Sequence, residues 1–319
     1  MVNRISRPIW PIARIIACSL VFFTAPGATQ AVTPAPYVKP HPPGELVDIG
    51  GRRLHVECKG TARGPTVIFE AGLSQFTAHS TYGKAQDLIA PFARVCIYDR
   101  AGLGWSDPVA AARTQQDMVD DLRRMIAAKK LKGPLVLVGH SLGGLLSRLY
   151  AKQHPADVAG MVLVDASPET ITFGPGAAQS RKAAIAKIDA ALIGAKDGMP
   201  VAALPDTTPA DVKMAFTPGI LRTVKQEYQA IDLLSDEFRK PAGFGTLGEM
   251  PLVIIRRGKV ANPPSEVDLS WRKAQEAMTS LSTRSSLVVA EKAGHVIPYD
   301  DPAVVANAVQ KTLQQIGRP

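Results

Sequence analysis

The feature that most constrains the fold is the segment LVLVGHSLGG at residues 135–144. Four apolar residues in succession are typical of a strand that is buried on both faces of a sheet. A serine between glycines follows directly, and the residues after it, LLSRLYAKQ, carry apolar side chains at helical spacing. The sequence therefore predicts a strand that turns sharply into a helix, with the hydroxyl of Ser141 at the turn.

Strand and helix patterns alternate along much of the chain. Short apolar or alternating runs predict strands at 46–49, 53–58, 66–70, 94–99, 135–138, 161–164, 252–255 and 287–290. Helical periodicity covers 118–128 and 304–313. Alternating elements of this kind predict an α/β fold, in which a mostly parallel, doubly wound sheet carries helices on both faces.

Residues 168–248, called the insertion below, interrupt this alternation. They contain no convincing strand pattern, but helical patches such as SRKAAIAKIDAAL and ILRTVKQEYQAIDLL, separated by glycine and proline. We expect the insertion to form a helical cap or lid. The core of the fold is then made of two stretches, 45–167 and 249–319.

Residues 1–31 have the pattern of a secretory signal peptide. Arginines accompany an apolar run at 15–23, which is too short for a permanent membrane span, and small residues lead up to Ala31. Cleavage there leaves a proline-rich leader at 32–44 and places the mature chain in the periplasm or outside the cell. Two alternatives stay open: an uncleaved N-terminal anchor, and a lipid anchor at Cys18, whose preceding residues resemble a lipobox.

Charge and motif content exclude several classes of partner. The formal net charge of +9 falls to +6 when residues 1–31, with three arginines and no acidic residue, are removed. The remaining basic residues are dispersed and are not interleaved with aromatic residues, so we expect no nucleic acid partner. HExxH and CxxC patterns are absent, so we expect no metal and no other cofactor. The sequence leaves the oligomeric state open.

Three motifs resemble those of one large enzyme superfamily. GHSLGG (139–144) fits the nucleophile elbow G-x-S-x-G, YDRAGLGWSD (98–107) is similar to a D-x-x-G-x-G-x-S turn, and AGHVIPYDDP (293–302) resembles a loop that carries a catalytic histidine. Together they resemble the α/β-hydrolase fold superfamily, in particular its serine esterase and lipase-like members. One departure is Arg100, which directly follows the aspartate where many members place arginine one position later. The resemblance runs from residue 46 to 316 and is weakest across the insertion.

The resemblance implies that Ser141 is the catalytic nucleophile and His295 its base. A serine hydroxyl is a poor nucleophile and needs a base within hydrogen-bond reach. His295 follows the last strand pattern, which puts it at the carboxyl edge of the sheet, where Ser141 also lies. His140 adjoins Ser141, but neighbours at an elbow point apart, so we expect it to pack. The remaining histidines of the mature chain have no supporting context: His41, His55, His79 and His154.

Two carboxylates compete for the third catalytic role. An acid must orient the histidine and balance the charge of the imidazolium ion. Asp165 ends the run MVLVD at the carboxyl end of the strand after the elbow, and some α/β-hydrolases place their acid there. The more usual family position follows the penultimate strand, where Asp268 lies; Asp268, however, precedes a helical pattern and can be its N-cap. We favour Asp165 and keep Asp268 as the alternative.

The resemblance also implies an oxyanion hole made of two backbone N–H groups. One is that of Leu142, directly after the nucleophile. The other comes from the loop after the predicted strand at 66–70, where many relatives carry His-Gly and this chain has Ala71-Gly72. The donor is then Leu73. The change leaves the backbone role intact.

Cys58 and Cys96 are the two cysteines of the mature chain. In the superfamily the second strand runs antiparallel beside the fourth, so the resemblance implies that these residues face one another. An oxidising compartment would then allow a disulfide. Two separate buried thiols are the alternative.

These features lead us to expect a secreted or periplasmic hydrolase of small-molecule carboxylic esters. Its Ser-His-Asp triad works through an acyl-enzyme and needs no cofactor, and no stable membrane span remains after signal cleavage. Two alternatives stay open. One is amide or peptide cleavage of the aminopeptidase kind, which an amine-binding acidic pair such as Asp236-Glu237 in the insertion would favour. The other is a ligand-binding sensor with little turnover.

Overall fold

The computed structural model describes residues 37–317, except 62, 63, 75, 132, 203, 206, 235 and 240–242. The predicted signal peptide at 1–31, the alternative lipid anchor at Cys18 and the start of the leader, 32–36, lie outside the described residues. The side chains of Asp236 and Glu237, the acidic pair considered for amine binding, also lie outside them.

One sheet of eight strands runs through the described residues. The strands are β1 (Glu45–Asp48), β2 (Arg53–Lys59), β3 (Thr66–Glu70), β4 (Val95–Tyr98), β5 (Leu135–His140), β6 (Val158–Val164), β7 (Leu252–Arg257) and β8 (Ser285–Ala290). Their order is β1-β2-β4-β3-β5-β6-β7-β8. β2 is antiparallel to β1 and β4, and the pairs from β4 to β8 are parallel. The predicted α/β fold with a mostly parallel sheet is confirmed.

Helices follow most of the strands and cover both faces of the sheet. They are α1 (Ala78–Ile89), α2 (Gln115–Ala128), α3 (Leu142–Gln153), α4 (Glu169–Thr172), α5 (Ala177–Leu192), α6 (Ala210–Met214), α7 (Pro218–Ile231), α8 (Asp236–Arg239), α9 (Glu266–Ala277), α10 (Ile297–Asp300) and α11 (Pro302–Ile316). α1 and α11 pack on one face, and α2 and α3 on the other. Among the described helices, none has the length and apolar character needed to cross a membrane.

The two faces of the sheet bury separate hydrophobic clusters. In β5, Leu135 and Leu137 pack into the cluster with α2 and α3, whereas Val136 and Val138 pack into the cluster with α1 and α11. Alternate residues of a strand point to opposite faces, so a continuous apolar run is needed when both are covered. Full burial of one such side chain is worth about 1.5–3 kcal/mol. This packing fixes the carboxyl end of β5, where Ser141 lies.

A disulfide joins two neighbouring strands of the sheet. Cys58 of β2 lies opposite Cys96 of β4 in the antiparallel register, and their sulfur atoms are bonded. Cys96 is fully buried. A disulfide at this position is compatible with an oxidising compartment. It covalently fixes the strand that leads into the turn at 99–107.

The chain between β6 and β7 is helical, with α4 to α8 and no strand among its described residues. Ile188 of α5 and Leu221 and Val224 of α7 are buried in a small hydrophobic cluster. Leu103 and Trp105 belong to the same cluster and come from the turn after β4. The insertion therefore packs against the core next to that turn.

Candidate active site

Ser141 occupies a strained turn between β5 and α3. β5 ends at His140 and α3 begins at Leu142, so Ser141 alone makes the transition. Its φ of 51° and ψ of −121° lie in a region that residues with a Cβ adopt rarely. The Ser141 N–H donates to the Val164 carbonyl oxygen at 3.1 Å, which ties the turn to β6. Backbone strain of this kind is costly and is typical of functional sites.

The glycine at position 143 allows the turn to come close to β3. A Cβ at Gly143 would lie 2.0 Å from the carbonyl oxygen of Glu70, a distance that no side chain tolerates. The helix after Ser141 can therefore approach the end of β3 only because residue 143 is glycine. This explains physically why the sequence pattern has glycine two positions after the serine.

His295 lies within hydrogen-bond reach of Ser141. It follows β8 on the loop before α10, and its Nε2 atom is 3.0 Å from Ser141 Oγ. The side chain of His295 is about one third exposed, at 33%. The structure thus brings together two side chains that are far apart in sequence, at the edge of the sheet where both were predicted. A neutral imidazole in this position can accept the serine proton.

Asp165 holds the other nitrogen of His295. It follows β6, is fully buried, and its Oδ2 atom is 2.6 Å from His295 Nδ1. Trp271 Nε1 donates to Asp165 Oδ1 at 2.9 Å, and Arg257 Nη1 donates to Oδ2 at 2.8 Å. Burial by itself would raise the pKa of Asp165, but the hydrogen bond from His295 and the charges of His295 and Arg257 lower the pKa below its usual range. The carboxylate is therefore kept ionised.

Asp268, the alternative acid, is linked to Asp165 through the guanidinium of Arg257. It is the third residue of α9, where its side chain and that of the N-cap residue Ser265 form a capping box. Its Oδ1 atom accepts a hydrogen bond from Arg257 Nη2 at 3.2 Å. Hydrogen bonds from Ser265 and the charge of Arg257 lower the pKa of Asp268. Arg257 thus lies between the two carboxylates, and Asp165 is the one that contacts His295.

The two predicted oxyanion donors belong to the two segments next to Ser141, the start of α3 and the loop after β3. Leu142 is the first residue of α3, and the N–H groups of a first helical turn have no partner within the helix. The loop Ala71–Leu73 follows β3 and passes close to the nucleophile. A Cβ built on Gly72 would lie 3.1 Å from Ser141 Cβ and 2.9 Å from His140 Nδ1. Backbone N–H groups in these positions can stabilise a negative oxygen on a carbon bonded to Ser141 Oγ.

Arg100 holds the loop at 71–73 through hydrogen bonds, a role that the sequence did not reveal. It is buried, and its guanidinium donates to Glu70 Oε1 and to the carbonyl oxygens of Ala71 and Gly72. Glu70 also accepts a hydrogen bond from the hydroxyl of Tyr98. Burial raises the pKa of Glu70, and the charge of Arg100 acts against this rise. The departure of Arg100 from the usual motif spacing was the one visible signal.

His140 has a structural role that goes beyond packing. Its Nε2 atom is 2.8 Å from the carbonyl oxygen of His295, to which it donates, and its Nδ1 atom is 3.2 Å from the hydroxyl of Tyr82. That hydroxyl in turn accepts the N–H of Gly72 at 3.0 Å. Burial and the charge of His295 lower the pKa of His140 to about 3. A neutral hydrogen-bonded series thus joins the loop of His295 to the loop at 71–73.

Other ionisable groups lie outside this site. His55 Nδ1 is 2.8 Å from Asp99 Oδ2, and both side chains are fully buried in the turn after β4. Asp99 also accepts the backbone N–H groups of Ala78 and Trp105, so this pair stabilises the turn. In the part of the chain that the structure describes, no group of three or more His, Cys, Asp or Glu side chains is arranged to hold a metal ion.

Comparison with known proteins identifies the family. The sequence profile of the alpha/beta hydrolase family matches residues 68–308, which include Ser141, Asp165 and His295. The match covers well over half of the chain. The protein therefore belongs to the alpha/beta hydrolase family.

Two relatives of this chain are uncharacterized proteins that match it over different lengths. The uncharacterized protein YqjL of Bacillus subtilis (strain 168) is 25% identical over 264 residues, 82% of this chain and 88% of its own length. The uncharacterized protein C23C11.06c of Schizosaccharomyces pombe is 31% identical over 151 residues, which is 39% of this chain. The matched region spans only 28% of that longer yeast protein.

Solved structures are similar in fold. A thermophilic esterase from Thermogutta terrifontis superposes with a TM-score of 0.60 at 18% sequence identity, covering 86% of this chain and 98% of the esterase. An identity this low supports the shared fold alone.

Proposed function

We propose that the protein is a serine hydrolase that cleaves carboxylic esters through an acyl-enzyme on Ser141. The observation that carries the proposal is the hydrogen-bonded series Ser141–His295–Asp165. It joins Ser141 Oγ to His295 Nε2 at 3.0 Å, and His295 Nδ1 to Asp165 Oδ2 at 2.6 Å. A nucleophile, a base and an orienting acid in this order are what acyl transfer by serine requires.

In the first half of the reaction, Ser141 Oγ attacks the ester carbonyl carbon. His295 Nε2 accepts the hydroxyl proton as the oxygen–carbon bond forms, and Asp165 stabilises the resulting imidazolium ion. The carbonyl oxygen becomes negative and accepts hydrogen bonds from the N–H groups of Leu142 and Leu73. His295 then returns the proton to the departing alkoxide, so that an alcohol leaves and an acyl group stays on Ser141.

In the second half, water takes the place of the alcohol. His295 accepts a proton from the water as its oxygen attacks the acyl carbon, and the same N–H groups again stabilise the negative oxygen. Collapse breaks the bond to Ser141 Oγ, which recovers its proton from His295. One ester and one water thus give one carboxylic acid and one alcohol, with no oxidation step and no cofactor.

The helices of the insertion support a further element of the proposal, a cap that limits access to Ser141. Buried apolar residues of α5 and α7 pack with Leu103 and Trp105 of the core. Substrate-binding and lid elements on this type of scaffold come from loops and insertions at the carboxyl edge of the sheet. The expected substrate is therefore a small-molecule ester.

The N-terminal sequence and the disulfide support export of the protein. Residues 1–31 have the charge and length pattern of a cleavable signal, and Cys58 and Cys96 are bonded. Disulfides persist mainly in oxidising compartments. We therefore propose a periplasmic or secreted enzyme.

The test of the proposal is loss of activity in Ser141→Ala. Wild-type protein is expected to hydrolyse nitrophenyl esters and to be labelled by a fluorophosphonate. Ser141→Ala should lower kcat by up to about a millionfold, because the nucleophile of a triad cannot be replaced by its partners. It should also abolish labelling. Ser147→Ala, which changes a fully buried serine on the same helix, is the matched control and should retain both activities.

The same assay separates the alternatives. A series of nitrophenyl esters of increasing acyl length is run beside aminoacyl anilides. Faster hydrolysis of the anilides would replace the ester assignment with amide cleavage. Folded wild-type protein that is neither labelled nor active on either series would favour a ligand-binding protein and overturn the proposal.

A further inference from the structure

The guanidinium of Arg100 uses all five of its N–H groups within the described structure. Two go to the carboxylate of Glu227 on α7, at 2.7 Å from Nε and 2.8 Å from Nη2. The other three go to Glu70 Oε1, Ala71 O and Gly72 O, at 3.1, 2.5 and 2.9 Å. A rigid planar fork with every donor occupied has one orientation only. Arg100 therefore connects the insertion to the loop at 71–73.

The bond to the Gly72 carbonyl determines the direction of the Leu73 N–H. The two groups belong to the same peptide unit, which is planar, and in a trans peptide they point in opposite directions. Arg100 holds the carbonyl end of this unit from one side. The N–H at the other end is the proposed oxyanion donor, and its direction is therefore tied to the position of the guanidinium.

The preceding peptide unit is held in the same way. Its carbonyl, that of Ala71, is bonded to Arg100, and its N–H, that of Gly72, is bonded to the hydroxyl of Tyr82 at 3.0 Å. Both peptide units of the loop are thus fixed by buried side chains rather than by regular secondary structure. An oxyanion hole depends on such prior orientation, because its donors must not reorganise during the reaction.

Glu227 supplies the charge that keeps Arg100 in place. It is buried on α7, and its two oxygens accept from Nε and Nη2 of Arg100 in a bidentate pair. Removing water from two charges is expensive, so a buried pair of this kind is weak evidence of added stability. Its geometry, in contrast, is specific, because bidentate pairing fixes the plane of the guanidinium.

We propose that Arg100 and Glu227 are positioning residues for catalysis: Arg100 orients the Leu73 N–H toward the oxyanion, and Glu227 of the insertion fixes Arg100. The inference rests on the proposed function, since an oxyanion forms only if acyl transfer takes place at Ser141. It assigns to the insertion a direct influence on the chemical step, separate from any role in covering the substrate.

The test compares two buried ion pairs that each join the core to the insertion. Arg148 of α3 and Glu169 of α4 are 2.7 Å apart and almost fully buried, as Arg100 and Glu227 are. Glu169→Gln is therefore the matched control for Glu227→Gln. Both changes replace one oxygen of a buried carboxylate next to an arginine guanidinium by an NH2 group, and both are expected to lower Tm. Only Glu227→Gln is expected to alter the oxyanion hole.

The decisive readout is the ratio of the kcat/KM values for an oxoester and the corresponding thionoester. Sulfur is larger than oxygen and accepts hydrogen bonds weakly, so well-placed N–H donors favour the oxoester strongly. The ratio does not depend on how much of a variant is folded. We expect Glu227→Gln to lower this ratio and kcat about tenfold, which is part of the 10²–10³ lost when an oxyanion donor is removed. KM should change less than about twofold, since ground-state binding is not altered.

Two further variants support the readout. Arg100→Lys keeps the charge but cannot reach the two carbonyls and the carboxylate together, so its ratio should fall at least as far as that of Glu227→Gln. Glu227→Asp keeps the charge on a shorter side chain and should recover part of the ratio. If Arg100→Lys does not fold, the comparison of Glu227→Gln with Glu227→Asp still gives the result.

The outcomes separate this inference from the proposed function. An unchanged ratio in Glu227→Gln, with Ser141-dependent hydrolysis in the wild type, overturns the inference and leaves the proposed function intact. An equal fall of the ratio in Glu169→Gln also overturns it, because any loosening of the insertion would then be sufficient. If Ser141→Ala hydrolyses the ester as fast as the wild type does, both the inference and the proposed function are overturned.

Discussion

Arg257 and Arg100 hold different halves of the candidate site, on either side of the strand that carries Ser141. β7, which ends at Arg257, lies two places from β5 in the sheet on one side, and β4, which precedes Arg100, lies two places away on the other. Arg257 bonds to Asp165 and so supports the groups that move the proton. Arg100 bonds to the loop that provides an oxyanion donor.

The two halves differ in where their remaining support comes from. Asp165 follows β6, and Trp271 and Asp268 belong to α9, between β7 and β8. The proton-transfer half is thus built from the strands and helices of the core. Arg100, in contrast, pairs with Glu227 of the insertion. Variation in the insertion is therefore expected to change oxyanion stabilisation and substrate access, and to leave the base and its acid intact.

The largest effect that tests this comparison is expected from Asp165→Asn. An amide at this position cannot balance the imidazolium charge and favours the wrong tautomer of His295. We expect kcat to fall by about 10⁴. Asp268→Asn is the matched variant, because Asp268 also bonds to Arg257 but does not contact His295. Its kcat should fall less than about tenfold, which is about 1.4 kcal/mol or less, because the hydrogen bond that is weakened orients Arg257 and not His295.

Steady-state kinetics on a nitrophenyl ester, with Tm measured in parallel, gives both values. A larger loss in Asp268→Asn than in Asp165→Asn would show that the proton-transfer half uses the acid after β7 instead. Equal small losses would mean that neither carboxylate assists His295, and the division of the site into two halves would be wrong.

The strands of the core could be predicted from the sequence because each is a local pattern. The run TVIFE predicts a strand at 66–70, and β3 has these ends, Thr66–Glu70. The prediction succeeds because both faces of this strand are covered and turn residues flank it. β5 extends to His140, two residues beyond its apolar run, because Gly139 and His140 still pair with β6. That extension depends on a neighbouring strand, and periodicity within β5 does not reveal it.

The site could be predicted only where a motif surrounds the residue. Ser141 and His295 follow strands and sit in recognisable loops. Arg257 and Trp271 have no such context, because their importance comes from contacts with Asp165, which is remote in sequence. Glu227 is one acidic residue on an amphipathic helix, and its partner Arg100 is 127 residues away. Partners at this separation follow from the packing of the insertion, which local patterns do not encode.

A smaller effect concerns His140, whose contacts join the two halves. Its pKa is lowered from 6.5 to about 3, mainly by burial, so between these values the unfolded chain binds a proton that the folded protein does not. Stability therefore rises with pH in this window, and acidification below 6.5 costs up to about 1.4 kcal/mol per pH unit through this group. His140→Gln should reduce the slope of unfolding free energy against pH by that amount.

Urea unfolding at several pH values between about 4 and 6.5 measures the slope. His41→Gln removes an exposed histidine and serves as the control. A slope that is the same in His140→Gln and the wild type would mean that the residue is not held neutral, and its hydrogen-bonded link between the halves would lose its basis.

The smallest expected effect is that of Tyr82→Phe, which removes one hydroxyl from the link between the halves. The Gly72 N–H and His140 Nδ1 then lose a shared partner, while Arg100 still holds the carbonyls of the loop. A neutral hydrogen bond contributes about 1 kcal/mol, so we expect kcat to fall about fivefold. The oxoester-to-thionoester ratio should fall with it, less than in Glu227→Gln. If Tyr82→Phe lowers the ratio more than Glu227→Gln does, the loop at 71–73 is held mainly by residues of the core. The contrast between a proton-transfer half built from the core and an oxyanion half that depends on the insertion would then be wrong.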